Sequence, residues 1–486
     1  MYEIALLFSV LCFAGVTFAF VRSAAFSMFH PLTFYLAFHG FVFVIRPILA
    51  DAFQFDLVYR LYQFTPSLAD KVAALLASTL GMLVFAVACW RAGSVPMAFK
   101  HDQVSLIERT RLTPAFLWIA ALCVPIGAYS LVTAWDTAIT TGSAYSGMIR
   151  IAATGKAYNE GTSGYLVEAQ LMLASCAAVF AWLLRFRLYA VLPLVLFAVY
   201  RAGTGVRGAF VTALVTAALL FLYDRRRRLP SALAIAVVPV LLIVFTAVGD
   251  DRGAAIRRAL STDASSEIFS NKRPGERMFE GMDFANLEYL EYVIYVVPQR
   301  SGTYGYFNGV LQLFTEPVPR AVWKDKPIGA PFDRINMFDY GYPVGMTRSL
   351  PGEGWFALGW AGVAIWCGLW GWILGWLYRK FVEGPQSTIQ VAAYMVFVPV
   401  LIVAFRDGQI VTVFRQGLFF MLPIGLWWFA SRFAGVPAAA EVRALLRQKR
   451  ADGGPAQVQP VPMPAEAALP AAVLRRRRAL AANGGD

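Results

Sequence analysis

The strongest constraint on this chain is a succession of apolar runs, each about as long as a bilayer core requires. A spanning helix needs about 20 mostly apolar residues, because the hydrocarbon core is roughly 30 Å thick and a helix rises about 1.5 Å per residue. About eleven runs meet that length: Tyr2–Val21, Leu32–Ala50, Val72–Trp90, Pro114–Trp135, Gly164–Leu184, Leu188–Val206, Ala209–Tyr223, Ser231–Val248, Trp355–Tyr378, Thr388–Phe405 and Ile410–Ala430. Two are less regular: Leu188–Val206 contains Tyr200 and Arg201, and Ala209–Tyr223 is short. Only 15% of residues are charged and 58% are hydrophobic, whereas soluble domains carry about 25% charged residues. An ordinary cytosolic enzyme is excluded, and the expected fold is an all-α polytopic membrane protein. The first run begins at residue 2 without a basic start or a convincing cleavage site, so it reads as a span and not as a signal peptide.

The net charge of +13 would suggest nucleic acid in a soluble protein. In so apolar a chain it is expected to fix orientation, and no nucleic-acid partner is expected. Arg22, then Arg91, Lys100, Arg109 and Arg111, then Arg185 and Arg187, then Arg225 to Arg228, then Arg379 and Lys380 mark every second connection, and the tail ends in Arg475 to Arg478. That alternation places the amino terminus outside and the carboxyl terminus in the cytoplasm. The five cysteines, Cys12, Cys89, Cys123, Cys176 and Cys367, all fall in apolar runs and read as small core hydrophobes.

Residues 1–430 are read as one transmembrane domain. Two of its outer connections are long, Asp136 to Thr162 and the larger 250–354. The second carries ANLEYLEYVIYVV, with Leu287, Leu290, Ile294 and Val297 at helical spacing. Glu288, Glu291 and Pro298 argue against a span, so a helix lying on or re-entering the outer surface is expected. Residues 431–486 form a basic, Pro/Ala-rich tail with too few large apolar residues to pack, expected to be disordered.

The ionisable residues that loop charge does not explain gather at the outer ends of the spans. GTGVRGAF sets Arg207 among Gly203, Gly205 and Gly208, where backbone and ligand can approach closely. FRDGQIVTVFRQG puts Arg406 and Asp407 in the turn before the last span and Arg415 inside it. An arginine within a span should face an anion, an acid or a wet cavity; the alternatives are snorkelling to headgroups or pairing with Asp407. In the large connection, EPVPRAVWKDKPIGAPFD projects Arg320, Lys324 and Lys326 from a proline-stiffened segment, and Arg348 and Glu353 follow just before the next span. Arg matches phosphate oxygens bidentately and Lys adds point charge, so a diphosphate is the expected ligand; attraction to anionic lipid is the plainer reading. His30 and His101 lie on the inner side and His39 inside a span, so a base on the outer side has to be a carboxylate, Glu353 first and Asp407 second. No P-loop and no Ser-His-Asp arrangement is recognisable, and neither a metal nor a cofactor is expected.

In these places the sequence resembles bacterial oligosaccharide repeat-unit polymerases of the O-antigen polymerase (Wzy) type, related more distantly to O-antigen ligases. GTGVRGAF is similar to the family's small-residue-Arg-Gly segment, PVPRAVWKDKP to its proline-arginine, tryptophan, lysine-proline segment, PGEGWFALGWAG to the Gly-rich entry of the next span, and FRDGQ to the Arg-acid turn. The resemblance runs from about Gly164 to Ala430; the amino-terminal third matches only in hydropathy. The ligase branch carries an outer-loop histidine that this chain lacks, which favours a polymerase.

The resemblance implies a GT-C-like enzyme of the bacterial inner membrane, active at the periplasmic face on undecaprenyl-diphosphate-linked oligosaccharides, with a chain-length regulator and a flippase as partners and membrane lipids around it. Its product would be O-antigen, capsule or exopolysaccharide. Arg207, Arg320, Lys326, Arg348, Arg406 and Arg415 would bind diphosphate, and Glu353 or Asp407 would take the acceptor's proton. The rivals are a ligase using the same donor, a transporter or flippase of lipid-linked saccharides, and a dolichyl-phosphate-sugar-type transferase, for which Asp51 and Asp56 carry no strong signal. A transporter should carry polar groups through the midplane, whereas here the candidate charges gather on one side.

Overall fold

The computed structural model describes residues 1–100, 103–141, 148–150, 157–159, 164–206, 208–232, 234–236, 254–260, 280–318, 322–323, 325–327, 329–343, 345, 347–433 and 435. Arg207, Arg320, Lys324, His101, most of the run Ser231–Val248 and the tail beyond 435 lie outside them. Among the described residues the regular structure is helical apart from one antiparallel hairpin in the first long connection, β1 (Met148–Arg150) paired with β2 (Ala157–Asn159).

Among the described residues eight helices are long and apolar enough to cross a membrane. They are α1 (Tyr2–Val21), the composite Pro31–Phe53, α5 (Leu68–Ala92), α6 (Gln103–Thr141), the stretch Leu166–Leu183, α14 (Ser349–Glu383), α15 (Thr388–Asp407) and α16 (Ile410–Phe433). Two shorter apolar helices, α9 (Leu188–Gly203) and α10 (Gly208–Asp224), match the two irregular runs. Helix α6 extends well beyond the expected Pro114–Trp135. The expected run from Gly164 divides into α7 (Gly164–Glu168) and α8 (Leu171–Leu183).

Local chemistry explains the boundaries that matter. The second span is α2 (Pro31–His39), a π-helical stretch Gly40–Ile45 and α3 (Arg46–Phe53). Pro47 has no N–H to give the carbonyl four residues back, and the wider π turn falls at that point. Ser67 and Asp70 form a reciprocal capping box at the start of α5, with Asp70 N on Ser67 Oγ at 3.1 Å and Ser67 N on Asp70 Oδ2 at 2.9 Å. Helices α5 and α14 pack backbone to backbone. A Cβ at Gly371 would meet the Phe85 carbonyl oxygen at 2.5 Å, and one at Gly375 that of Cys89 at 2.2 Å, the small-xxx-small device of membrane helices. Four of the five cysteines are buried and all are unbridged, as core residues should be.

Helix α4 (Leu57–Tyr62) follows the second span, and after α11 (Ala254–Leu260) the large connection builds α12 (Asn286–Val296) and α13 (Asn308–Thr315). Helix α12 exists where helical spacing placed it, and of the two expected positions, lying on the surface or re-entering, its burial excludes the first. It is buried against α5 and α14, within the core formed by the first spans. Its acids are matched from afar: Glu288 by Arg46 and Glu291 by the Tyr59 hydroxyl at 2.7 Å. A second core joins α6, α8, α9, α10, α15 and α16.

Candidate active site

The long helix α14 is not continuous. Leu358 and Gly359 leave helical geometry, so its first turns, carrying Glu353, form a segment set off from the rest. Arg348, at the N-cap, donates from Nη1 to Glu353 Oε2 at 3.0 Å, and its guanidinium lies 4.0 Å from the centroid of the Phe356 ring. Burial opposes charge on Arg348, but the Glu353 carboxylate, and then the Tyr289 hydroxyl, outweigh it and raise the guanidinium above its ordinary pKa. Arg348 and Glu353, both singled out from sequence, are thus one ion pair, with Glu353 buried and Arg348 partly so.

The turn between the last two spans comes directly against this pair. Gly408 has φ +71°, and a Cβ there would lie 2.0 Å from the Ser349 carbonyl oxygen and 3.0 Å from Glu353 Cβ. Only glycine allows both the left-handed backbone and the contact. Asn286 Nδ2, from α12, donates to the Thr347 carbonyl at 2.8 Å, to Thr347 Oγ1 at 2.7 Å and to the Arg406 carbonyl at 2.9 Å. Trp366 Nε1 holds the Gly408 carbonyl at 3.0 Å. Segments more than a hundred residues apart are thereby clamped, and Arg348, Glu353, Arg406 and Asp407 share one neighbourhood. Helix α13 closes one side, with Gly309 open toward Glu353 Oε1. Lys326 is held at the far end of α13, its Nζ on the Glu316 carbonyl at 2.8 Å.

Arg415 pairs with Glu168, Nη2 to Oε1 at 3.5 Å. Of the sequence alternatives, facing an acid is the one realised, and the acid is Glu168 from α7, not Asp407. Two residues on, Gln170 Oε1 accepts from Nη1 of Arg201, which is 5% exposed. Arg257, 3% exposed, donates to the Gly203 carbonyl at 2.6 Å, at the end of the helix that carries Arg201. Arg201, Arg257 and Glu168 were not foreseen as site residues. For Arg201 the available signal was an arginine inside an apolar run, the same signal that pointed to Arg415. Among the described residues no group of His, Cys, Asp and Glu is arranged to hold a metal ion. His30 and His39 are fully buried; His30 caps α2 through Nδ1 on the Leu32 N–H at 3.2 Å, a structural role.

Eight helices long and apolar enough to cross a membrane among the described residues define a multi-pass membrane protein. The family model described as O-antigen polysaccharide polymerase Wzy matches residues 1–433, and the chain belongs to that family. Its general activity is therefore polymerisation of O-antigen repeat units. No curated protein matches the chain, and no solved structure does.

Proposed function

We propose that the protein is a glycosyltransferase of the bacterial inner membrane that extends undecaprenyl-diphosphate-linked glycan at the periplasmic face. The orientation is amino terminus outside and carboxyl terminus in the cytoplasm, with eleven spans. Residues 1–430 form the polymerase domain, 250–354 its periplasmic connection, and 431–486 a basic cytoplasmic tail. The observation that carries this reading is the Arg348–Glu353 pair set against the Arg406–Gly408 turn, which puts cations and a carboxylate within reach of one substrate.

The acceptor hydroxyl attacks the anomeric carbon of the donor. A new C–O bond forms, the bond from that carbon to the diphosphate oxygen breaks, and undecaprenyl diphosphate departs with the bonding pair. The proton goes to Glu353, or to Asp407 as the second candidate. Because the leaving group is already activated, the protein's tasks are orientation and stabilisation of developing diphosphate charge. Arg348, Arg406 and Arg415 do this, and Arg207, Arg320 and Lys326 add to it. A chain-length regulator and a flippase are the expected partners. Positive charge comes from side chains, so polymerisation should survive exhaustive chelation.

The test is a strain lacking the chromosomal copy, complemented with Arg207→Ala or Arg415→Ala at normal expression. Loss of polymer with accumulation of single lipid-linked repeats is expected. Full-length polymer from either variant defeats the diphosphate assignment, and accumulation of long lipid-linked polymer in the null strain points to a ligase.

A further inference from the structure

Helices α8 and α10 finish side by side. Trp182 Nε1, at the end of α8, donates to Asp224 Oδ1 at 2.8 Å, and Phe186 packs edge-on to Phe221 with ring centroids 5.5 Å apart. Both helices close in the same way. After α8 the Phe186 N–H reaches back to the Ala181 carbonyl at 2.7 Å and the Arg185 N–H to that of Trp182 at 2.9 Å. After α10 the Arg227 N–H reaches Leu222 and the Arg226 N–H reaches Tyr223, each at 3.0 Å. This is the Schellman pattern, whose left-handed residue is ordinarily glycine. Here that residue is Arg185 after one helix and Arg226 after the other, with φ of 57° and 54°. A side chain in left-handed geometry costs conformational energy that glycine avoids, so backbone preference does not explain these arginines. Arg185, Arg187, Arg225, Arg226, Arg227 and Arg228 are all exposed. Asp224, the carboxylate beside them, is engaged by Arg109 Nη1 at 3.0 and 3.1 Å. Among the described residues no carboxylate pairs with Arg185, Arg187, Arg225, Arg227 or Arg228. Two helix ends carry about half a negative charge each, too little to account for so many arginines.

From Arg187 an apolar face leads away along α9. Leu188, Leu192, Val195 and Val199 recur at helical spacing, and all are exposed. We propose that the two arginine turns and this face form a binding site for an anionic phospholipid, its phosphate between the turns and an acyl chain along α9. Guanidinium forks match phosphate oxygens bidentately. Net charge selects this occupant over a zwitterionic lipid, and the adjoining apolar face selects it over a free phosphate. The far end of α9, at Gly203, is about 22 Å away at roughly 1.5 Å per residue. The Arg415–Glu168 pair lies toward that far end, beside Gln170 and Arg201, so the lipid site is separate from it. Such a site requires neither the transferase activity nor a particular leaflet.

The experiment titrates the purified full chain in detergent with phosphatidylglycerol, phosphatidylcholine or inorganic phosphate, and follows the unfolding temperature and the lipid retained in native mass spectra. Phosphatidylglycerol should raise the unfolding temperature and be retained; the other two, at the same concentration, should do neither. Arg187→Gln with Arg225→Gln should weaken phosphatidylglycerol binding about 25-fold, two charges at about fivefold each. Arg379→Gln with Lys380→Gln removes another exposed basic pair, at the end of α14, and should leave binding unchanged. Arg185→Gly should weaken binding about fivefold, while the lipid-free protein unfolds at no lower a temperature than the parent, because glycine suits the left-handed position. Equal losses in the two double variants show attraction to surface charge at large and overturn the proposal, as does no loss in either. Stabilisation by phosphatidylcholine or by inorganic phosphate overturns it too. An Arg185→Gly protein that binds phosphatidylglycerol as the parent does, or that is less stable without lipid, assigns the arginine to the fold and overturns it as well.

Discussion

The Arg46 guanidinium and the Glu288 carboxylate meet at 2.7 Å, with side chains 2% and 4% exposed. Arg46 also donates to the carbonyls of Gly281 at 3.2 Å and Glu280 at 3.1 Å, while Glu280 Oε1 accepts from the backbone N–H groups of Asp56 and Leu57, each at 3.0 Å. The second span is thus fastened to the start of α12, the helix whose Asn286 and Tyr289 hold Arg406 and Arg348. The pair is therefore a point where the fold can be broken.

Removing one member of a buried ion pair strands the other charge, at a cost of about 3–5 kcal/mol, whereas replacing both by apolar groups can be nearly neutral. Arg46→Met should therefore lower the unfolding temperature of the detergent-solubilised protein strongly, and Arg46→Met with Glu288→Leu should recover a large part of the loss. A single variant as stable as the parent would show that the pair does not fasten α12.

Glu291 makes stability depend on pH. Burial first, and then the Glu288 carboxylate, push its carboxyl from 4.5 up to about 8, against the opposing pull of Lys71, the Tyr59 hydroxyl and Arg46. The folded protein keeps a proton that the unfolded chain releases, so this group's stabilisation is complete below the unfolded value and is lost as pH rises through the folded one. The unfolding temperature should fall between about pH 5 and about pH 9. Glu291→Gln, which can still accept from Tyr59, should flatten that fall. An unchanged slope in the variant would remove Glu291 as the cause.

The spans were readable because a bilayer sets the length and polarity of each run independently of its neighbours. Arg348, Glu353, Arg406 and Asp407 were readable because they sit at the ends of runs, where charge is hard to account for. The acids of α12 argued against a span but could not show how deeply the helix is buried. Alone in the sequence, Glu288 and Glu291 have no visible partners, and each is matched from far along the chain, Glu288 by Arg46, 242 residues away, and Glu291 by the Tyr59 hydroxyl. Glu168 and Gln170 were missed for the same reason: each gains its meaning from an arginine on another helix. Arg201 sat in plain view, treated as an irregularity in a run when it was a buried cation.

Gly408→Ala should be far more damaging than a methyl group on an exposed turn. The backbone there has φ +71°, and the new Cβ would lie 2.0 Å from the Ser349 carbonyl oxygen, where neither backbone can yield without moving Glu353 or the Arg406 turn. A non-glycine residue in left-handed geometry alone costs about 1–2 kcal/mol, and the collision adds to it. The expected outcome is loss of polymer together with reduced folded yield, read by complementation and by size-exclusion profile. Parental activity would mean that the close approach of the turn to α14 is not needed.

Glu353 and Asp407 can be told apart by what each substitution leaves behind. Glu353→Gln keeps the size of the side chain and an oxygen for Arg348, so the pair's geometry should persist while proton acceptance is lost. General-base catalysis is worth about 10²–10⁴-fold, and the loss should appear in kcat with little change in KM, because no substrate contact is removed. Asp407→Asn should cost less, since Asp407 closes the helix before the turn and is the reserve candidate. Arg348→Lys should instead raise KM, because a single ammonium cannot keep both Glu353 and a diphosphate oxygen in the planar fork that a guanidinium offers. Initial rates with a defined lipid-linked donor and acceptor measure all three. If Glu353→Gln polymerises at the parental rate while Asp407→Asn loses the rate, the base is Asp407, and Glu353 serves only to hold Arg348 in place.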